Sequence, residues 1–228
     1  MEKSKIWEKQ AEFIHFVPYV NCPDLLEKAI LSTCDTASKG IGVIIDNRSD
    51  LTLPDPKDIF AGKGDDCFMV FTPDVPLTTA QTMNLMKKLA TEKACKFFTW
   101  IHGDGEVAEG SSLVLIDEVE RANAAAEKWG CIFTLYDIYS AFNMEACRAV
   151  GDWDWLRFPY YFLDNDYYNR MRCAGYTCEE FDWRKKMNVQ HHNGSSSTIK
   201  NDPVRMRVND YLWPVQQRLF KEKYPNEI

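Results

Sequence analysis

Phe97-Phe98-Thr99-Trp100-Ile101-His102-Gly103-Asp104-Gly105-Glu106 is the stretch whose reading decides the fold of this chain. Five apolar or β-forming residues, Phe97 to Ile101, run into a turn built from glycine and acid. A run bounded in this way reads as a buried strand. Its end places a carboxylate just beyond the C-terminal edge, where open α/β sheets bind ligands. A carboxylate there can hold a hard cation, and the cation can hold phosphates. The plain alternative is a strand followed by a glycine turn with solvated acids.

Before this stretch the order is β-α-β. Phe13 to Val17 reads as a first strand, and Pro23 suits the first turn of a helix whose apolar face is Leu25, Leu26, Ala29 and Ile30. Gly40 to Ile45 is a second buried strand that ends in the polar turn Asp46-Asn47-Arg48-Ser49-Asp50. This order favours parallel pairing. Residues 51–66 read as a connecting loop and Cys67 to Phe71 as a third strand. Thr78 or Thr79 can cap a helix that presents Ala80, Met83, Met86, Leu89 and Ala90 on one face. Beyond the central stretch, Leu113 to Ile116 reads as a short strand. Asp117 to Trp129 reads as a helix closed by Gly130, and Cys131 to Leu135 as another strand. After Gly151 the texture changes to aromatics crowded around acids, from Trp153 to Phe162. Tyr167 to Gly175 reads as a short helix and Asn193 to Ser197 as a polar loop. The tail carries Val208, Leu212, Val215 and Leu219 at helical spacing.

Composition agrees with one domain. In 228 residues, 45% hydrophobic and 13% aromatic content suffice for a sizeable core, and a net charge of −7 argues against a protein that coats nucleic acid. The eight cysteines are scattered without a CxxC pair, so buried thiols are expected and a structural zinc site is not. Met1 to Lys5 lacks the apolar core of a signal peptide, and no apolar run approaches the roughly 20 residues that cross a bilayer. A cytoplasmic protein is the expectation.

Three segments taken together resemble the family 2 type of GT-A glycosyltransferase. The first is Val17-Pro18-Tyr19-Val20-Asn21 with Pro23-Asp24-Leu25-Leu26, followed by Val43-Ile44-Ile45-Asp46-Asn47. It is similar to the family's opening strand, helix start and second strand ending in Asp-Asn. The second is Trp100 to Glu106, in the place of the DxD metal motif. The third is Gly151, then Asp164-Asn165-Asp166, Arg170, Gly175-Tyr176 and Val189-Gln190-His191-His192-Asn193-Gly194-Ser195. It is similar to the family's closing signature. The likeness covers roughly residues 13–198. Two departures stand out. His102 replaces the first acid of DxD, and Leu163-Asp164 stands where many members carry Glu-Asp.

The resemblance implies an α/β, Rossmann-like GT-A fold: a mostly parallel central sheet flanked by helices, with a C-terminal acceptor-side extension. Residues 1–198 would form the transferase domain and residues 199–228 a helical tail packed on it. The implied activity moves a sugar from a nucleotide-sugar donor, UDP being the expected nucleotide, to a hydroxyl acceptor with inversion. The acceptor would be a glycan or a hydroxymethylated DNA base, as in some phage enzymes. Pro18, Tyr19, Asn21, Asp46, Asn47, His102 and Gly103 would bind the donor, with Asp46 on the base. Asp104 and His191 would hold Mn²⁺ or Mg²⁺. Asp164 would be the base, with Trp153, Trp155 and Asp166 on the acceptor side.

The residues themselves support this chemistry and also allow plainer roles. A diphosphate leaving group develops charge that a divalent cation stabilises, and Mg²⁺ or Mn²⁺ needs only one or two carboxylates besides the phosphates. Asp46 can equally cap its turn. His191 and His192 can belong to an exposed polar loop. A carboxylate within reach of a hydroxyl is a suitable base, and the aromatic run before Asp164 can raise its pKa. Asp166 and Arg170 lie four apart and can pair. Trp153 and Trp155 can stack on a sugar or base, or pack in the core. Two other functions are weighed against transfer: a binding module on a degenerate transferase fold, which His102 keeps open, and a sugar nucleotidyltransferase. The second normally needs a glycine-rich loop near the N-terminus, and Phe13 to Asn21 offers none.

Overall fold

Alternation along the central strand, β4 (Phe97–Ile101), feeds two cores at once. Phe98 packs on one face with Ile14, Phe16, Val43 and Ile45, while Phe97 and Ile101 pack on the other with Phe13, Val17 and Ile44. A strand buried on both faces belongs inside a sheet covered by helices on each side. The computed structural model of the chain describes residues 5–50, 67–180, 188–192 and 203–226. The expected loops at 51–66 and 193–197 lie outside the described residues.

β4 is the middle of a seven-stranded sheet. On one side it pairs in parallel with β1 (Phe13–Tyr19), which pairs in parallel with β2 (Ile41–Asp46), and β2 with β3 (Phe68–Phe71). On the other side lie β7 (Tyr139–Asn143), antiparallel to its neighbours, then β6 (Trp129–Phe133) and β8 (Thr177–Glu180), parallel to each other. The sheet is therefore mostly parallel. β5 (Gly105–Val107) and β9 (Val189–His191) form a separate antiparallel ribbon.

One helix, Pro23–Ser32, begins at its proline as expected, and another, Thr79–Glu92, begins at Thr78 with a reciprocal capping box to Gln81. Met83 and Met86 of the latter are core residues. Elsewhere the structure corrects the reading. Leu113 to Ile116 is not a strand: Val114–Ala124 is one helix, because Leu115, Ile116, Val119 and Ala122 share a buried helical face. Trp129 and Gly130 consequently start β6 rather than end a helix. β7 and the helix Met144–Val150 fill the stretch after β6. The helix expected from Tyr167 starts earlier and spans Leu163–Cys173; Gly175 follows it at φ +80°.

Inside the sheet, His15 is a satisfied core histidine. Its ring nitrogens each lie 2.9 Å from a threonine hydroxyl, Nδ1 from Thr99 and Nε2 from Thr33. Thr33 spends its own proton on the Ala29 carbonyl, 2.7 Å away, so it accepts from Nε2–H and Nδ1 accepts from Thr99. Burial pushes the ring down to about 3, and it is neutral.

The tail helix, Pro203–Lys223, docks from Asn209, which accepts from the Tyr161 hydroxyl, through Trp213 to Phe220. Phe220 stacks on Phe162, and Gln216 accepts hydrogen bonds from the Tyr160 and Tyr161 amides. The buried stripe is thus Gln216 and Phe220, whereas Val208 is exposed. No helix among the described residues is long and apolar enough to cross a membrane.

Candidate active site

The turn after β4 is pinned on three sides. The His102 amide donates to the Ile138 carbonyl (2.9 Å), and the Gly105 amide closes back on the His102 carbonyl (2.9 Å). A Cβ on Gly103 would sit 2.4 Å from the Pro18 carbonyl oxygen, so only glycine lets the turn lie against β1. The β5–β9 ribbon then places His191 opposite Gly105, and the His192 amide donates to the Asp104 carbonyl at 3.0 Å. This pairing carries the late histidines to the acidic turn across some 87 residues of sequence.

Three side chains meet there. His191 Nε2 is 2.9 Å from Asp104 Oδ1, and His102 Nδ1 is 4.0 Å from the same oxygen. One ligand atom from each of His102, Asp104 and His191 lies within 4.8 Å of the others. Asp104 is 5% exposed. Burial pushes the His102 ring down to about 4; the Asp104 carboxylate opposes this and His191 adds to it. A neutral ring keeps a lone pair for a cation. His191 Nδ1 is buried with no partner among the described residues. Two imidazoles and a carboxylate form a mixed nitrogen and oxygen set that suits Mn²⁺ better than Mg²⁺, which favours oxygen throughout. The residues therefore fit a divalent cation. Alongside, His192 Nε2 donates to Glu106 at 2.5 Å and fixes the end of the ribbon.

A cavity of about 150 Å³ adjoins this group. His102 and Trp100 line it together with Asp164, Asp137, Tyr136 and Tyr160, and Trp153 and Tyr168 also contribute. Asp164 projects from the first turn of the helix Leu163–Cys173, and burial raises its carboxyl above the usual range. Asp137 and Tyr136 come from the 3-10 turn joining β6 to β7 and carry no familiar signal in the sequence: Thr134-Leu135-Tyr136-Asp137-Ile138 holds neither glycine nor asparagine. Only the lone acid between two β-forming runs hints at them.

No family model and no curated protein matches the chain. Solved structures do. A mannosyltransferase from Pyrobaculum calidifontis, solved in complex with GDP-Man and Mn²⁺, aligns with 77% of this chain and 56% of its own at 13% identity, with a TM-score of 0.58. S. aureus TarS 1–349 in complex with UDP-GlcNAc aligns with 60% of this chain and 47% of its own at 10% identity, with a TM-score of 0.46. The fold is GT-A. The chain spans a little over half the length of the mannosyltransferase.

On this GT-A sheet the expected donor residues gather at the C-terminal ends of β1, β2 and β4. Tyr19 stands opposite Asp46 in register, and the Asn47 amide donates to the Tyr19 carbonyl at 3.1 Å. Asp46 Oδ1 accepts from the Ser49 amide at 3.1 Å, so this aspartate does cap its turn. The Asn21 side-chain oxygen accepts from the Ser49 hydroxyl (2.6 Å) and the Asp50 amide (2.8 Å). Asn47 grips the Leu77 backbone through both its carbonyl and its amide. Arg48 spends its guanidinium on the Pro73 and Asp74 carbonyls. The edge is a braced platform of polar turns.

The expected acceptor side divides. Trp153 is 1% exposed, stacks on Tyr167 with ring centroids 3.5 Å apart, and is one of the cavity residues. Trp155 is not among the cavity residues and is 45% exposed at the surface. Asp166 is also outside the cavity. Its fully buried carboxylate accepts from Arg170 (2.9 Å), Lys223 (2.5 Å) and the Tyr224 hydroxyl (2.9 Å), which ties the tail to the helix Leu163–Cys173.

Proposed function

We propose that this protein is a divalent-metal-dependent glycosyltransferase that moves a sugar from a nucleotide-sugar donor to a hydroxyl acceptor with inversion. The observation that carries the reading is one cavity lined both by His102, of the His102, Asp104 and His191 group that fits a cation, and by Asp164. The GT-A fold agrees with it, as does the solved mannosyltransferase with its nucleotide sugar and Mn²⁺.

Asp104, His191 and His102 would hold the cation, which supplies positive charge against the developing charge of the diphosphate. The donor lies along the ends of β1 and β2, with Asp46 and Asn21 toward its nucleotide. Asp164 takes the proton of the acceptor hydroxyl as its oxygen attacks the anomeric carbon. The carbon–oxygen bond to the diphosphate breaks, and the electron pair leaves with the phosphate. Tyr136 and Tyr160, both exposed at the cavity, offer ring faces to the acceptor.

The test is a panel of nucleotide sugars, UDP-sugars and GDP-sugars first, assayed with Mn²⁺ for binding, hydrolysis and transfer. Asp164→Asn should bind donor like the parent and lose about 10²–10⁴-fold in rate, the usual loss of a general base. Binding without metal dependence, or undiminished turnover in Asp164→Asn, would overturn the assignment. Metal-dependent donor binding without hydrolysis would mark a binding module instead.

A further inference from the structure

The cavity holds a second carboxyl that the reaction above does not use. Asp137 and Asp164 come from separate elements, and their side chains are hydrogen-bonded to each other in the cavity wall. Two carboxylates that close cannot both be ionised, because each disfavours the charge of the other. We propose that Asp137 is a positioning residue for Asp164: the pair shares one proton, carried by Asp137, so that Asp164 remains the carboxylate presented to the acceptor. This rests on the reading of Asp164 as the base.

Backbone geometry supports the assignment independently. Tyr136 and Asp137 are consecutive non-glycine residues in the left-handed region, at φ +57° and +54°. Aspartate enters this region readily, but a tyrosine there is costly and persists only where its surroundings over-determine it. Here the Asp137 amide donates to the Thr134 carbonyl (2.8 Å), the Tyr139 amide to Thr134 Oγ1 (3.0 Å), and the Ser140 hydroxyl to the Asp137 carbonyl (3.2 Å). The same turn abuts the metal group, since the His102 amide bonds Ile138. The strain holds an acid and an exposed aromatic ring at the cavity.

The surroundings also indicate which partner keeps the proton. Asp164 is the second residue of an 11-residue helix whose N-cap, Phe162, supplies no side-chain cap, and its carboxylate is helped by its own backbone amide and the helix dipole. Asp137 has no helix terminus. Burial first, and then the charge of Asp164, push Asp137 well above the usual carboxylate range, while a hydrogen bond from Tyr168 opposes this. Among the described residues, the titratable groups facing Asp137 are Asp164 and Tyr168 on the helix Leu163–Cys173, Cys131 on β6, and Cys178 and Glu180 on β8, with His102 lining the same cavity from the end of β4. When Asp164 accepts the acceptor's proton, the pair holds two protons and is neutral; one returns to water as product leaves.

The experiment compares Asp137→Asn and Asp137→Ala in full-length protein. The asparagine amide can donate the same hydrogen bond and tolerates the left-handed backbone; alanine cannot donate. The acid limb of kcat should move up by about one to two pH units in Asp137→Ala, the value of a hydrogen bond to a charged group, and by a few tenths at most in Asp137→Asn. Donor KM should hold in both. A structural role would lower melting temperature and kcat without moving the limb, so an unmoved limb in folded Asp137→Ala overturns the proposal. Infrared spectroscopy at pH 7 gives a readout independent of turnover. The parent should show a protonated buried carboxyl that Asp137→Asn lacks; identical spectra would overturn the proposal even if the alanine variant does not fold. If no nucleotide sugar is turned over but the carboxyl band behaves as expected, the reaction assignment fails and the shared proton stands.

Discussion

Asp104→Asn removes the one charged donor from the His102, Asp104 and His191 group while keeping its shape. The structure separates the metal effect from a folding effect. The main-chain bond from His192 to the Asp104 carbonyl and the β5–β9 pairing do not involve the side chain and survive the change. Loss of an outer-shell partner typically costs 10–100-fold in metal affinity, so loss of a direct anionic ligand should cost at least about 100-fold. That is about 2.7 kcal/mol. With Mn²⁺ at 100 times the parent's dissociation constant, bound metal should stabilise the parent by about 2.7 kcal/mol. At the same concentration, which then equals the mutant's dissociation constant, the mutant should gain only about 0.4 kcal/mol. Titration calorimetry with MnCl₂ measures the first quantity and thermal unfolding with and without Mn²⁺ the second. Equal Mn²⁺ affinity in a folded Asp104→Asn protein would refute the placement of a cation at this turn.

Three further outcomes follow from named contacts. Gly103→Ala forces a methyl to within 2.4 Å of the Pro18 carbonyl oxygen; it should cost about 1–3 kcal/mol in urea unfolding and weaken Mn²⁺ binding by moving Asp104. Asp166→Asn leaves Lys223 and Arg170 facing a neutral amide; it should destabilise by about 3 kcal/mol, the low end for a broken buried pair because Lys223 is partly exposed, and hydrogen exchange should show the tail helix opening first. His15 is neutral in the folded protein, while the unfolded chain takes up a proton near pH 6.5. Stability should therefore fall as pH drops from about 6.5 toward 3, by at most about 1.4 kcal/mol per pH unit from this group, and His15→Gln should flatten that slope in unfolding measured across pH.

The parallel half of the sheet was legible because its strands are buried on both faces and end in polar turns. Phe97–Ile101 is recovered residue for residue, and β1, β2 and β3 differ from expectation by one or two residues at their ends. The segment Leu113–Ile116 misled because four consecutive apolar or β-branched residues fit a strand as well as the start of a helix. Only the continuation through Val119 and Ala122 distinguishes them. The tail misled for a related reason. Val208 has the right spacing, but the aromatic surface of Phe158 and Phe162 meets the helix at Trp213 and Phe220, so Phe220 is buried and Val208 is not.

The site was legible to the extent that its residues sit at strand ends. Asp104 follows a strand, and its neighbours are fixed by short-range turn chemistry. His191 could be matched to it only by likeness, because the contact depends on a three-residue ribbon, β5 with β9, whose pairing no local pattern announces. Trp155 and Asp166 show the converse. They lie close in sequence to Trp153 and Asp164, yet a two-residue step carries each away from the cavity, Trp155 to the surface and Asp166 beneath the tail. Asp137 was hidden most deeply. Its turn opens with a left-handed tyrosine, Tyr136, so sequence preference points away from the conformation that brings Asp137 to Asp164, although aspartate itself tolerates that region. Tyr136 goes against local preference, and hydrogen bonds from the Asp137 amide, the Tyr139 amide and the Ser140 hydroxyl hold the turn in place. What that turn delivers is the Asp137 carboxyl, set beside Asp164 in the cavity wall.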